Sequence, residues 1–584
     1  MLENTIRNEY PRPQFQRALW ENLNGEWEFE FDDKRVGDKE KWYLSEKPFS
    51  MKIQVPFAYQ SELSGIGKTE FHDLVWYKKE FKLPITFLGY STILHFGAVD
   101  YKADIWINGQ HVMSHQGGNT PFKIDITNEL VEGDNVIVVR AEDFSEDLTL
   151  PRGKQYWKEK SEAIWYTNTT GIWQTVWLEA VSQINIEKVK YTSFIDTTEI
   201  EIEYFINGYE NLKDIQLQVN ICFDKKVIVD DIYKIKSKVE SRKIKLNEFN
   251  EHHFSHLWTP ETPFLYDVEF KLTCDGKLAD AVKSYFGMRK VSVEDGKVCL
   301  NNRPYYMRLV LDQGYFPGGI LTAPSDEALK RDIELTKALG FNGARKHQKV
   351  EDPRYLYWCD KLGLIVWGEM ANAFDYSEDY AKKISIEWHE VIDRDYNHPS
   401  IFVWVPLNES WGVPKILTEV KQQEHALALY HLIKSLDATR LVVSNDGWEL
   451  VETDLCNIHD YEWRSEILKQ RYKTVENLVD TMPSERRIFV GEYKYNGQPI
   501  LVSEFGGIAY KNQEKNGWGY SGALNEEDFI NRIKSVVEPL KNSEIIQGFC
   551  YTQLTDVEQE MNGILTFERQ PKVPIEEIYK IIKE

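Results

Sequence analysis

Hydrophobic and polar positions divide the chain into three stretches with different periods. From residue 20 to about 180, short runs such as GEWEFEF, STILHFGAVD, ADIWING, NVIVVRAED and IWQTVWLEAV alternate apolar and polar residues between turns. A period of two with almost no helical pattern predicts an all-β jelly-roll domain over 1–183, with a hairpin at Asn108-Gly109. A second β-rich stretch, 184–292, carries EIEIEYFI, IQLQVNICF, YDVEFKLTC and KSYFGMRKV at the spacing of an immunoglobulin-like β-sandwich. Within it LWTPETPFLY (257–266), with two prolines, predicts an extended edge segment.

After about residue 293 the period alternates between strand and helix. Strands are predicted at 305–311, 341–346, 364–370, 401–407, 440–446, 455–461, 500–505 and 546–554. The clearest helix is SDEALKRDIELTKALG, where Ser325 caps, Asp326 and Glu327 favour the positive start and Gly340 ends it. Eight strands in about 290 residues predict a C-terminal (β/α)8 TIM barrel over 293–584.

Two of those strands end in carboxylates. IFVWVPLNES delivers Asn408 and Glu409 after Pro406 stops the pairing, and ILVSEFGG delivers Glu504 ahead of paired glycines. These are barrel strands four and seven. Buried carboxyl groups are costly unless hydrogen-bonded, neutralised or paired, and active sites of parallel barrels are built at this end of the strands. Taken singly, each glutamate reads equally well as an exposed loop residue or an ion-pair member.

The chain resembles glycoside hydrolase family 2, the family of β-galactosidases, β-glucuronidases and β-mannosidases, over nearly its whole length. The resemblance rests on DIWING with the following GG and PF, TTGIWQTVWLE (169–179), LWTPETPFLY, GFNGARKH, NES after strand four and SEFGG after strand seven. It implies a retaining exo-β-glycosidase with Glu409 as acid/base, Glu504 as nucleophile and Asn408 as hydrogen-bond partner of the sugar 2-hydroxyl. Glycoside cleavage by itself needs one carboxylic acid and one carboxylate, with a cation to keep the latter ionised; Arg345, ending strand two, is the candidate. The retaining route expects carboxyl groups about 5 to 5.5 Å apart.

Several positions depart from the family pattern. Arg345-Lys346-His347-Gln348 places the histidine one residue early, so His347 reads equally as sugar ligand or structural residue. Glu560 and Asn562 stand where glucuronidases carry the Asn-x-Lys that reads the sugar carboxylate, which weakens the glucuronide expectation. Thr175 stands where large β-galactosidases carry an Asp, and GEMANAF lacks the Glu-x-His spacing of their magnesium ligands, so no metal and no cofactor are expected. Glu369 reads as a further site acid or a structural one, His459 and Tyr461 as donors beside the nucleophile or core residues, and Trp411 as a further substrate-binding candidate.

The formal net charge of −23 argues against nucleic-acid and anionic-membrane partners, which need a basic face. Six scattered cysteines without CxxC spacing read as free thiols, and the N-terminal stretch lacks the apolar core of a signal peptide. A cytoplasmic protein acting on a small carbohydrate is expected, with homo-oligomer formation open. The first expectation for the sugar is a β-galactoside; a glucuronidase, mannosidase or transglycosylase on the same scaffold, a non-catalytic carbohydrate-binding protein and a protein-binding scaffold are the competing readings.

Overall fold

The computed structural model describes residues 6–44, 46–209, 214–246, 256–510 and 517–584. The first β block forms two facing antiparallel sheets. One has six strands, in the order Met51–Val55, Gly25–Phe31, Leu74–Lys82, Asp134–Glu142, Lys102–Ile107 and Gln110–Gln116. The other has four, Trp20–Asn22, Val176–Val181, Ser91–Phe96 and Phe122–Asp125. Inward residues of both, among them Trp27, Phe29, Tyr77, Phe96, Ile105 and Leu178, make one core, as the period-two pattern requires of a jelly roll. Asn108 and Gly109 take φ of 49° and 81°, the left-handed pair that a tight hairpin demands.

The middle domain is a sandwich of three strands (Asn185–Phe194, Glu199–Asn207, Val239–Lys245) on four (Lys226–Lys234, Ile215–Phe223, Tyr266–Cys274, Lys277–Phe286). LWTPETPFLY contributes isolated bridges, Leu257 to Met288 and Trp258 to Pro263, before its Tyr266 opens the strand to Cys274. The domain is pinned to the barrel by Tyr285, whose hydroxyl donates to Asp360 at 2.9 Å, and by Arg289, which donates to the carbonyls of Pro399 and Ile401 at 3.1 Å each.

The third domain is the TIM barrel, with parallel strands β1 (Met307–Asp312), β2 (Gly343–Lys346), β3 (Ile365–Glu369), β4 (Ile401–Val405), β5 (Leu441–Val442), β6 (Cys456–His459), β7 (Ile500–Gly506) and β8 (Ile546–Thr552). They pair in the order β5-β4-β3-β2-β1-β8-β7-β6. The helix after β1 spans Asp326–Ala338, with the Ser325 side chain accepting from the Ala328 N–H and Gly340 at φ 94° beyond its end.

None of the eight barrel strands keeps its predicted span to the residue, and β1 and β5 show how the ends are set. β1 starts two residues late because the Tyr305 N–H is spent on Val298 in the preceding hairpin. β5 is cut to two residues: beyond it the backbone keeps only an isolated parallel bridge between Asp446 and Asn408, while Asn445 Oδ1 accepts from the Ser410 N–H at 2.9 Å and Asp446 Oδ1 from the Ser503 hydroxyl at 2.8 Å. The β5–β6 seam is accordingly closed by polar contacts, among them Asn457 Nδ2 to Asp446 and the His459 N–H to the Gly447 carbonyl at 3.2 Å. All six cysteines are free. Among the described residues no helix is long and apolar enough to cross a membrane.

Candidate active site

Every strand-end residue singled out from the sequence lies at the carboxyl end of the barrel, and the centre of the group is a fully buried guanidinium. Arg345 leaves β2 with Nε 2.6 Å from Glu369, Nη1 2.9 Å from Glu504 and 2.5 Å from Asp446, and Nη2 2.6 Å from the Asn408 side-chain oxygen. Burial opposes its charge, but Asp446, Glu369 and Glu504 outweigh that and hold it well above the ordinary arginine range. Burial likewise works against the Asp446 carboxylate, and Arg345, His459 and Asn457 together outweigh it, leaving it far below the usual carboxylate range.

Glu504 sits on β7 with both oxygens engaged. Oε1 accepts from Arg345, and Oε2 accepts from the Tyr461 hydroxyl at 2.6 Å. Tyr461 stacks on Tyr520 with ring centroids 3.5 Å apart and planes at 7°. The stack fits beneath the chain only because residue 507 is glycine: at φ 56° a Cβ there would lie 2.4 Å from the Tyr520 ring. Burial, reinforced by Glu504, pushes the Tyr461 phenol well above its usual range, so it stays a donor.

Glu409 follows β4 in a different environment. It and Ser410 both take left-handed backbone, φ 52° and 62°, a conformation that costs a non-glycine residue free energy and needs external support. The support comes from the segment after β5: the Glu409 N–H donates to the Asp446 carbonyl at 2.9 Å, and the Ser410 hydroxyl donates to Glu449 at 2.5 Å. Its side chain keeps 18% exposure against 5% for Glu504. One oxygen meets His459 Nδ1 at 2.8 Å, and the same ring's Nε2 lies 3.2 Å from Asp446 and 3.6 Å from Glu504. Burial works against charging His459, yet Glu504, Asp446 and Glu409 push it up to about 10, so it is a cation at neutral pH.

One oxygen of Glu409, one of Glu504 and a nitrogen of His459 lie within 4.8 Å of one another. Such a triad could ligate a metal on spacing alone. Its charges fit one poorly, because a divalent ion there would meet both the Arg345 guanidinium and the His459 imidazolium.

Asn408 presents its side-chain oxygen to Arg345 while its Nδ2, though buried, has no partner among the described residues. His347 does reach the cluster despite its early position, with Nδ1 3.0 Å from Glu369 and 3.9 Å from Glu504. Burial first, then Lys154 and Arg345, hold it well below the usual imidazole range and therefore neutral. Glu369 departs from the expectation of a substrate-binding acid. Its side chain is wholly inaccessible, and its oxygens go to Arg345 Nε and to the Gln348 N–H at 3.0 Å, so it positions Arg345.

Trp411 belongs to an aromatic wall that crosses domains. Its ring stacks on Trp165 of the jelly roll (6.0 Å, 22°), and Phe374 and Trp157 complete the group. Asp446, Lys154 and Tyr520 were not singled out from the sequence. Asp446 ended a predicted strand, the signal that exposed the two glutamates; the other two sit in loops with no comparable mark.

Comparison with known proteins matches the three domains along the chain. The description "Glycosyl hydrolases family 2, sugar binding domain" matches residues 20–180, "Glycosyl hydrolases family 2" matches 184–289 and the family's "TIM barrel domain" matches 291–584. A β-galactosidase of Thermoanaerobacter pseudethanolicus is 29% identical over 426 residues, covering 70% of this chain and 54% of that protein, so the chain spans about half of that relative's length. A β-glucuronidase of Felis catus is 25% identical over 620 residues, 96% of this chain and 90% of that one. Among solved structures, a Ruminococcus gnavus β-glucuronidase in complex with D-glucuronic acid superposes with a TM-score of 0.78 at 20% identity, covering 99% and 100% of the two chains. With all three domains matched in order, the chain belongs to glycosyl hydrolase family 2.

Proposed function

We propose that the protein is a retaining exo-β-glycosidase in which Glu504 is the nucleophile and Glu409 the acid/base. The observation that carries this is the closeness of the pair: carboxylate oxygens within 4.8 Å of each other favour the short spacing of retaining enzymes over the roughly 6.5 to 9.5 Å at which inverting enzymes seat a water between acid and base. The different surroundings divide the roles. Glu504, with donors on both oxygens, is suited to remain an anion and attack; Glu409, more open to solvent, is suited to exchange a proton.

In the first step a Glu504 oxygen bonds to C1 as the bond from C1 to the leaving oxygen breaks, and Glu409 gives that oxygen its proton. In the second, water attacks C1, passes a proton to Glu409, and the bond from C1 to Glu504 breaks. Positive charge developing on the sugar ring faces Glu504, while the free Asn408 Nδ2 is available to the 2-hydroxyl.

For the sugar we propose a β-galactoside, in keeping with the similarity to a β-galactosidase over 70% of the chain. A β-glucuronide is the second reading, favoured by the relatives that match over nearly their full length. Aryl β-galactoside, glucoside, mannoside and glucuronide should be offered in turn, with the anomer released followed by NMR. Prompt formation of the β-anomer supports the retaining reading; prompt formation of the α-anomer, or no turnover of any substrate, contradicts it.

A further inference from the structure

The jelly-roll domain reaches into the barrel mouth with one short segment. The Arg152 and Gly153 N–H groups donate to the Asn372 carbonyl at 3.3 and 2.9 Å, and Gly153 lies so close to the loop after β2 that a Cβ would come within 2.2 Å of the Gln348 carbonyl oxygen. That contact delivers Lys154, which is only 7% exposed, to the site. Its ammonium lies 5.1 Å from the centre of the Trp411 ring and makes no hydrogen bond or ion pair with the described residues.

Neighbouring buried lysines are all paired: Lys346 with Asp312 at 2.6 Å and Glu351 at 2.7 Å, Lys349 with Glu351 at 3.0 Å, and Lys572 with Asp556 at 2.6 Å. The Lys154 ammonium, by contrast, keeps its donors free for the acceptor of a ligand. Near it in the barrel mouth is Glu560, linked to Lys154 through Tyr166: it is 2% exposed and accepts from Asn562 Nδ2 at 3.0 Å and from the Tyr166 hydroxyl. Tyr166 also donates its N–H to the Lys154 carbonyl at 2.9 Å, so one jelly-roll tyrosine holds both residues. Burial raises Glu560 toward neutrality and Lys154 draws it back toward the carboxylate, though the two close into no ion pair.

We infer that Lys154 and Glu560 form a donor–acceptor pair across two domains that reads ring hydroxyls of a neutral hexopyranoside and selects against uronides. This rests on the glycosidase reading and deepens it. A hydroxyl accepts from the ammonium and donates to the carboxylate in one placement, satisfying both charges. A substrate carboxylate in the same place would meet the like charge of Glu560. A site that binds a hydroxyl through buried polar groups discriminates strongly against an analogue lacking it, since those groups are then left unpaired.

The test measures kcat/KM of the wild type, Lys154→Met, Lys154→Arg and Glu560→Gln on aryl β-galactoside, its 3-deoxy and 4-deoxy analogues, and aryl β-glucuronide. The wild type should prefer galactoside to glucuronide, Lys154→Met should lose about 100-fold or more on galactoside, and Lys154→Arg should recover part of that. On the deoxy analogue lacking the hydroxyl that is read, Lys154→Met should lose little more, and Glu560→Gln should move the preference toward glucuronide. Equal losses on the parent and both deoxy sugars, a wild-type preference for glucuronide, or a Lys154→Met enzyme within threefold of wild type would each overturn the inference and leave the glycosidase reading standing. A wild type that turns over none of these glycosides would overturn both.

Discussion

Tyr461 and Arg345 hold opposite oxygens of Glu504, the phenol at 2.6 Å from Oε2 and the guanidinium at 2.9 Å from Oε1. A carboxylate held from both sides cannot rotate away from the position its attack requires, and the two donors lower its need for water. Tyr461→Phe keeps the ring stacked on Tyr520 and removes one donor. Loss of such a donor costs on the order of 10²–10³ in kcat, and that is the expected effect, with the thermal midpoint unchanged. Steady-state kinetics beside a melting curve check it; a tenfold fall or less would show that the phenol does not serve the nucleophile.

Glu369 gives a stability counterpart. Glu369→Gln keeps the volume but takes one of three acids from a guanidinium that stays fully buried. Destabilisation of about 1 to 3 kcal/mol is expected, with kcat falling as Arg345 shifts. Denaturant unfolding measures the first and kinetics the second. An enzyme of unchanged stability and activity would show that Glu369 does not position Arg345.

The His459 cation predicts a pH-dependent stability. Its proton is bound more tightly in the folded protein, at about 10, than in the unfolded chain, at about 6.5. The resulting stabilisation is fully present below about 6.5 and disappears as pH rises through about 10. His459→Asn should therefore melt well below the wild type at pH 6, and the gap between their melting temperatures should narrow as pH approaches 10. A gap independent of pH would show that the imidazole is not charged in the fold.

Much of this arrangement was legible in the order of residues, because its parts are periodic. Period two over 20–180 and the strand–helix alternation after 293 match the sheets found, and acids at strand ends marked Glu409 and Glu504 before any geometry was known. What escaped was convergence across elements. Asp446 bore the strand-end mark, but its part in closing the β5–β6 seam depends on His459 and Asn457 arriving from another strand. Lys154 lies in a loop of a different domain, and nothing in PRGKQYW indicates that it ends beside Trp411. His347 shows an open case: its shifted position read equally as sugar ligand or structural residue, and its ring meets buried Glu369 at 3.0 Å within the cluster.

The assignment of the two glutamates is tested most directly by azide rescue. Glu504→Gly with azide and an aryl β-glycoside should yield an α-glycosyl azide, because the anion occupies the vacated nucleophile position and attacks the face opposite the leaving group. Glu409→Ala should yield the β-azide through the glycosyl-enzyme. An α-azide from Glu504→Gly together with a β-azide from Glu409→Ala is the expected result; the reverse pairing would contradict Glu504 as nucleophile and Glu409 as acid/base.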